Sequence, residues 1–391
     1  MTTPVGWKVP LAQVFFGREE MEAAAGVLKS GWISQGPLVQ RFEEEFARFL
    51  GVKFALAVAN GTAALHLACL ALDLGPGDEV LCPAFTFVAT ANAIRYTGAQ
   101  PRFVDLTGPH DLNLSPEDAA RKITDRTKAI MVVHYAGFPA AGEKLKELAD
   151  RYGLALLEDC AHAPGAFSRS PTASRMVGTL GAAGCFSFFA NKNMTTGEGG
   201  MVVTNDPQLA QRIKVARSHG MTTLTWDRHR GHSFTYDVVA PGYNYRLDEL
   251  RAALGLAQLP RLKAHNARRR ELTLLYREKL RDLPQVQLPF LGELEASACH
   301  LFPILLPGEG ERSPFMEYLA GRGIQTSIHY PPVHHFSYYR GLYPPGFDHL
   351  LPQTEAVAAR EVTLPLFPTM TLEQLEEVVD AVYAFFRQEA A

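Results

Sequence analysis

The stretch Cys185-Phe-Ser-Phe-Phe-Ala-Asn-Lys192-Asn-Met-Thr-Thr-Gly-Glu-Gly-Gly200 joins an apolar run to a polar, glycine-rich turn. Residues 185–189 read as a buried strand, so Lys192 emerges just past a desolvated edge. Desolvation disfavours the ammonium and favours the neutral, nucleophilic amine that forms a Schiff base. The glycines beyond it permit tight turns and let a flat ligand approach the backbone. A single lysine is ordinarily a solvated surface charge, so this reading needs support from elsewhere in the chain.

Three further segments supply it. In Leu154-Ala-Leu-Leu-Glu158-Asp159-Cys160-Ala161-His162 an apolar run ends in two carboxylates. A buried parallel strand delivers an acid in this way to the crevice at its carboxyl end. Asp159 is then placed to hold a protonated pyridine nitrogen, as the acidic partner of pyridoxal phosphate does; the plainer alternative is a cap for the next helix. In Ala57-Val-Ala-Asn60-Gly61-Thr62-Ala-Ala-Leu a strand turns into an alanine-rich helix, whose N-terminus suits a phosphate. Such turns are common in α/β proteins and say little singly. The third, Pro241-Gly-Tyr-Asn244-Tyr-Arg246-Leu-Asp-Glu, is a polar turn entering a long amphipathic helix.

Around these segments strands and helices alternate. Strands are expected at 54–59, 79–83, 101–105, 129–134, 155–158, 184–189 and 200–204. Helices are expected at 18–30, 63–71, 89–96, 117–122, 144–152 and 207–218. The pattern predicts an α/β fold: a large domain with a mostly parallel seven-stranded sheet flanked by helices. The candidate residues fall in loops after strands, where open α/β sheets bind ligands. Beyond Leu247 a helical stretch runs to about residue 281, broken at Pro260. A strand at 301–306, a helix at 315–322, a short apolar segment at 324–328 and a final helix at 372–386 suit a small α+β domain. The expected division is 1–260 and 261–391. The polar, aperiodic segment 222–237, with Trp226, Asp227, Arg228, His229 and Arg230, reads as a long loop, either functional or a surface excursion.

Taken together and in this order, these residues resemble the DegT/StrS-type nucleotide-sugar aminotransferases, a branch of the fold-type-I pyridoxal phosphate enzymes related to aspartate aminotransferase. The resemblance also takes in Gly31-Trp32-Ile-Ser-Gln-Gly36-Pro37, Pro83-Ala-Phe85-Thr-Phe87-Val-Ala-Thr90, His134-Tyr-Ala-Gly137 and His329-Tyr330-Pro-Pro-Val-His334. It implies that Lys192 carries the cofactor as an internal aldimine and later moves the proton between substrate and cofactor. Asp159 would hold the pyridine nitrogen. Gly61 and Thr62 would bind the phosphate, aided by Ser187. Phe87 would stack on the ring, with Phe85 as the alternative two residues earlier. His162 falls near the ring's phenolic oxygen. Asn244 would reach the phosphate of the neighbouring subunit, which implies a homodimer with shared active sites. Trp32, His329, Tyr330 and His334 would contact substrate. Asn60 departs from the serine commoner before Gly-Thr, a change that keeps hydrogen-bonding ability.

The implied reaction moves an amino group, from L-glutamate by likeness, through a pyridoxamine phosphate form to a keto group of a nucleotide-linked hexose. His162 favours a 4-keto-6-deoxy acceptor over a 3-keto one; the nucleotide and the sugar are not legible. A sugar dehydratase of the same fold carries histidine in place of the lysine, and Lys192 speaks against it. A non-catalytic cofactor-binding regulator is the rival of another class, and it needs no base such as Lys192.

Composition sets the outer limits. The 391 residues are 47% hydrophobic and 20% charged, with a formal net charge of -3, which suits a soluble globular protein. That balance argues against nucleic-acid binding driven by phosphate neutralisation. No secretory leader or run of about 18 apolar residues is present, so a cytoplasmic protein off the membrane is expected. The five scattered cysteines lie in apolar runs and read as buried thiols, not a disulfide framework. His229 and His232, and the group His329, His334 and His335, lack an accompanying cysteine or carboxylate set at ligand spacing, so no metal is expected.

Overall fold

Seven short runs of apolar and β-branched residues build the central sheet, in spatial order β1-β11-β10-β7-β6-β2-β3. They are β1 (Phe54–Val58), β2 (Glu79–Pro83), β3 (Gln100–Val104), β6 (Thr127–Val133), β7 (Ala155–Asp159), β10 (Ala183–Ser187) and β11 (Gly200–Thr204). The computed structural model describes residues 6–169, 174–223, 235–292, 294–344 and 346–389. Most of the expected loop at 222–237, including Trp226 to Arg230 and His232, lies outside these residues. Neighbours from β3 to β10 pair in parallel, whereas β11 runs antiparallel to both β10 and β1. The expected mostly parallel, seven-stranded sheet is therefore present.

Register explains why the functional segments meet. Asp159 lies opposite Cys185 on one side and Val133 on the other. Ser187 lies opposite Gly200, and Gly200 opposite Val58. Because β11 is reversed, its first residue sits beside the last residues of β1 and β10. The chain thus gathers four loop entrances at one edge of the sheet. The crowding has a visible cost in residue choice: a Cβ on Gly200 would fall 2.5 Å from the Asn60 carbonyl oxygen. Only glycine fits there.

Helices cover both faces: α1 (Arg18–Ser30), α2 (Pro37–Leu50), α3 (Gly61–Ala71), α4 (Ala89–Tyr96), α5 (Pro116–Lys122), α6 (Gly142–Tyr152) and α7 (Pro207–Ala216). Helix α2 was not among the sequence expectations, although Val39, Phe42, Phe46 and Leu50 carry a buried helical stripe between a proline at the start and Gly51 as C-cap. Phe46 packs edge-on against Phe186 at 5.1 Å and Phe188 at 5.5 Å between ring centroids. Each such buried ring stabilises the layer by about 1.5–3 kcal/mol. The first amides of α2 donate to the Glu249 carboxylate, Leu38 at 3.0 Å and Val39 at 2.9 Å. Two small hairpins, β4–β5 (Leu106–Gly108, Asp111–Leu114) and β8–β9 (Phe167–Arg169, Ser174–Met176), were also unanticipated.

The helical stretch broken at Pro260 resolves into α8 (Glu249–Gln258), a 3₁₀ turn (Leu259–Arg261) and α9 (Leu262–Leu280). Asp248 caps α8 by accepting from the Arg251 amide. Beyond it, β12 (Phe302–Leu305) pairs antiparallel with β13 (Glu361–Leu364). Helices α10 (Arg312–Ala320), α11 (Ser337–Arg340), α12 (Pro352–Ala358) and α13 (Leu372–Glu389) complete this part. Leu272, Tyr276, Phe302, Ile304, Phe315, Val362, Leu375 and Val382 share one core there, joined by Phe85 and Tyr135 from the sheet side. The segment 324–328 forms no strand; Ile324 and Ser327 make only isolated bridges to Val9 and Thr363. All five cysteines are buried and free. No described helix is long and apolar enough to cross a membrane.

Candidate active site

A cavity of about 480 Å³ opens at the carboxyl edge of the sheet. Gly61, Thr62, Phe87, Asp159, His162, Ser187, Lys192, His329 and Tyr330 all line it. Nine of the expected site residues, from five separate strand ends and loops, thus meet in one space.

Lys192 lies on the turn after β10, its backbone amide donating to the Phe189 carbonyl at 3.0 Å. Burial pushes its amine down to about 8, opposed by the negative charge of Asp159, which favours the ammonium. Asp159 ends β7 and is buried. One carboxylate oxygen accepts from the Thr90 hydroxyl at 2.8 Å, and the other from the Ala161 amide at 3.1 Å. Burial raises its pKa, against the pull of these hydrogen bonds and of Lys192. Among the described residues no side-chain cation forms a salt bridge with it. Its neighbour Glu158 is used up structurally: it accepts from the amides of Gly178, Leu180 and Gly181 and lies 3.2 Å from His134 Nε2. Only the second carboxylate of the pair is available to a ligand.

The opposite wall is the N-terminus of α3. Asn60 caps it by accepting from the Ala63 amide at 2.8 Å, and the Ala64 amide donates to the Asn60 carbonyl at 3.1 Å. The amides of Gly61 and Thr62, the first two of the helix, have no intrahelical acceptor and suit an anion. Gly61 is required by proximity, since a Cβ would meet Ser187 Cβ at 2.8 Å. Ser187 accordingly stands beside the same helix start.

His162 and Tyr330 are joined across 168 residues by a 2.8 Å contact between Nε2 and the hydroxyl. The Ala136 amide donates to His162 Nδ1 at 3.2 Å, so Nε2 carries the proton and donates to Tyr330. Burial, then the charge of Lys192, holds the imidazole well below its usual range, hence neutral. Burial raises the Tyr330 phenol, which leaves its own proton free to donate. Phe87 is 55% exposed and sits 5.7 Å, centroid to centroid, from the Tyr330 ring. Phe85 is buried against Tyr135, which removes it as the stacking alternative.

Three expected residues lie elsewhere. Trp32 lines a separate groove with α1, α2 and α8, its indole N–H donating to the Gln35 carbonyl. Asn244 is exposed and does not line its own chain's cavity. His334 is buried and holds Glu355 at 2.7 Å through Nε2, while His335 Nε2 meets the same carboxylate at 3.0 Å. The sequence offered no carboxylate for these histidines. The fold brings one from α12, so that premise is corrected: His334, His335 and Glu355 form a compact group, as do His134, Glu158 and Cys160.

Sequence reasoning missed His300, whose Nε2 lies 3.5 Å from Lys192 Nζ. No local pattern marks it. Its side-chain hydrogen-bond partners come from more than a hundred residues away.

The chain's likenesses agree with this geometry. The model of the DegT/DnrJ/EryC1/StrS aminotransferase family matches residues 16–383. The spore coat polysaccharide biosynthesis protein SpsC of Bacillus subtilis is 38% identical over 380 residues, 96% of each chain. Helicobacter pylori PseC, an aminotransferase involved in the biosynthesis of pseudoaminic acid, superposes with a TM-score of 0.88 at 31% identity, covering 97% of this chain and 99% of its own. S. venezuelae DesV, solved with a ketimine intermediate, gives 0.85 at 37% identity over 94% of each chain.

Proposed function

This chain belongs to the DegT/DnrJ/EryC1/StrS aminotransferase family, its structural neighbours are sugar aminotransferases, and from that premise we propose a specific reaction. It moves an amino group from L-glutamate to the keto group of a nucleotide-linked 4-keto-6-deoxyhexose. The observation that carries the reading is the pairing, in one cavity, of a half-buried lysine lowered to about 8 with a buried carboxylate that has no salt-bridge partner among the described residues.

The family implies pyridoxal phosphate, and the donor set fits it. A buried carboxylate without a salt-bridge partner among the described residues suits a pyridinium N–H through a charge-assisted hydrogen bond. The start of α3 suits the phosphate: the Gly61 and Thr62 amides and the hydroxyls of Thr62 and Ser187 hold it in this reading. Phe87 covers the ring. When bound, the cofactor supplies an electron sink for the charge left as a proton departs from carbon. Lys192 Nζ binds the cofactor and moves the proton at the amino-bearing carbon of the substrate, a task suited to an amine poised near neutrality. His162 orients Tyr330, whose hydroxyl proton points a donor at the cavity. His329 and Tyr330 would contact substrate there, whereas Trp32 and His334, read from the sequence as substrate contacts, do not line this cavity.

We read the assembly as a cytoplasmic homodimer in which Asn244 of the partner subunit completes the phosphate site. Its support is the exposed Asn244, together with the exposed rings of Phe87 and Phe189 on the cavity lining. Large apolar side chains left bare beside a ligand site suit a covering partner. We place the division between a sheet domain, 1–260, and a small domain, 261–391, at the 3₁₀ turn Leu259–Arg261, with Phe85 and Tyr135 packing across it from one side and Val333 and Tyr339 from the other. Incubation of the holoenzyme with glutamate and a panel of nucleotide 4-keto and 3-keto sugars tests the reaction. Amination confined to 4-keto-6-deoxy acceptors supports it; amination at C3 alone, or none with any sugar nucleotide, overturns it.

A further inference from the structure

His300 stands in a chain of buried amides whose directions can be worked out from carbonyl groups alone. Asn193 Nδ2 lies 2.8 Å from the Ala298 carbonyl oxygen and 2.8 Å from Asn266 Oδ1. A backbone carbonyl can only accept, so the Asn193 atom beside it must be the NH₂ group. Asn266 is anchored in the same way, its Nδ2 donating to the Pro164 carbonyl at 2.8 Å. Asn193 Oδ1 therefore faces His300 Nδ1, 2.9 Å away, and an amide oxygen can only accept. His300 must carry its proton on Nδ1. Its Nε2 is then a bare lone pair, and it lies 3.5 Å from Lys192 Nζ, the long end of hydrogen-bond contact.

From this geometry we infer that His300 is a positioning residue for Lys192, an acceptor that takes one amine N–H and thereby aims the amine's own lone pair into the cavity. The inference rests on the reading of Lys192 as the cofactor-binding lysine. The setting keeps the acceptor neutral. Burial and the charges of Lys192 and Arg269 hold His300 well below its usual range, and the rings of His162, at 4.5 Å between centroids, and of His329 face it as well. A neutral imidazole with its proton fixed on the far nitrogen has one orientation of use to an amine. The chain also spans the fold. Pro164, Lys192 and Asn193 follow sheet strands, whereas Asn266 lies on α9 and His300 precedes β12. His300 is itself pinned, its amide donating to the Ala136 carbonyl at 2.8 Å and its carbonyl accepting from Arg269 at 3.3 Å. Lysine aim is thus set jointly by both parts of the molecule.

The direct test leaves His300 itself unaltered. Histidine-¹⁵N spectra of the full chain, prepared without cofactor, are assigned by comparison with Lys192→Met. The expected result is a protonated Nδ1 and a bare Nε2 at His300, with only the Nε2 signal moving in Lys192→Met. A proton found on Nε2 overturns the inference. The second test removes the acceptor while keeping a ring against His162, with His300→Phe. Pyridoxal phosphate is added to the cofactor-free chain across a pH series and the visible band is followed. Loss of an acceptor for the ammonium should lower the midpoint of the profile by about one pH unit, and the misaimed amine should capture pyridoxal phosphate about tenfold more slowly at the high-pH plateau. An unchanged midpoint and plateau in a folded variant overturn it. Failure of Lys192 as the cofactor lysine would show separately, as borohydride fixing the cofactor elsewhere.

Discussion

Asp159→Asn separates two effects that usually travel together, because in the proposed reaction the carboxylate would act on Lys192 and on the cofactor in opposite senses. Lys192 is pushed down to about 8 by burial, while the Asp159 charge holds it up. At pH 7 an amine at about 8 is roughly one-tenth neutral, against a few parts in ten thousand at the ordinary value near 10.4. Removing the carboxylate takes away the stabilisation of the ammonium, so the pKa falls below 8 and the neutral fraction rises. Cofactor capture by Asp159→Asn should therefore begin at lower pH than in the parent chain. Amino transfer should nevertheless collapse. Loss of one partner of a buried charge pair costs about 3–5 kcal/mol, which corresponds to roughly two to three and a half orders of magnitude in rate. The fold should survive. The asparagine oxygen still accepts from the Ala161 amide, and Thr90, 3.0 Å from the Thr86 hydroxyl, can reverse its own hydroxyl to accept from the new NH₂ group. The assay pairs the pH profile of visible-band formation with steady-state amino transfer from glutamate. A midpoint moved to higher pH, or turnover within a few-fold of the parent, would refute the argument and leave Asp159 as a helix cap.

Borohydride reduction of the holoenzyme should fix the cofactor on Lys192, and Lys192→Ala should lose both the visible band and nearly all turnover; peptide mapping to another lysine would sink the assignment. Asn244→Asp sets a carboxylate against the phosphate dianion and should weaken cofactor affinity. Hybrid dimers with Lys192→Ala should recover part of the activity, since one site of each hybrid then carries neither defect; confirmed exchange without recovery would place Asn244 outside the partner's site. Glu355 is pushed up by burial, yet hydrogen bonds from His334 and the charge of His335 bring it below its usual range on balance. A depressed carboxylate contributes stability above its unfolded value, near pH 4.3, that is lost as pH falls through the folded one, so Glu355→Gln should flatten the acid limb of urea-melting curves; an unaltered limb would count against the pairing.

The residues that were legible in the sequence are those whose chemistry is written beside them. Asp159 ends an apolar strand and Lys192 and Gly61 each follow one, and residue type at a strand end is a local signal. Helix α2 is also written locally, in the spacing of Val39, Phe42, Phe46 and Leu50. Strand β13, only four residues long, carries too short a pattern to be told from a loop. What no local pattern could give is the direction of each proton. His162 acts as a donor to Tyr330 because the Ala136 amide occupies its other nitrogen. His300 acts as an acceptor because the Ala298 carbonyl, through Asn193, occupies its other nitrogen. Two neutral imidazoles 4.5 Å apart, each beside a residue of the cavity, thus present opposite chemistry to it, and the backbone groups that decide which is which come from distant turns. Residue type at a strand end points to the candidate side chains; the fold alone orients their protons, and a site proposed to deliver one amine in one direction depends on that second layer as much as on the first.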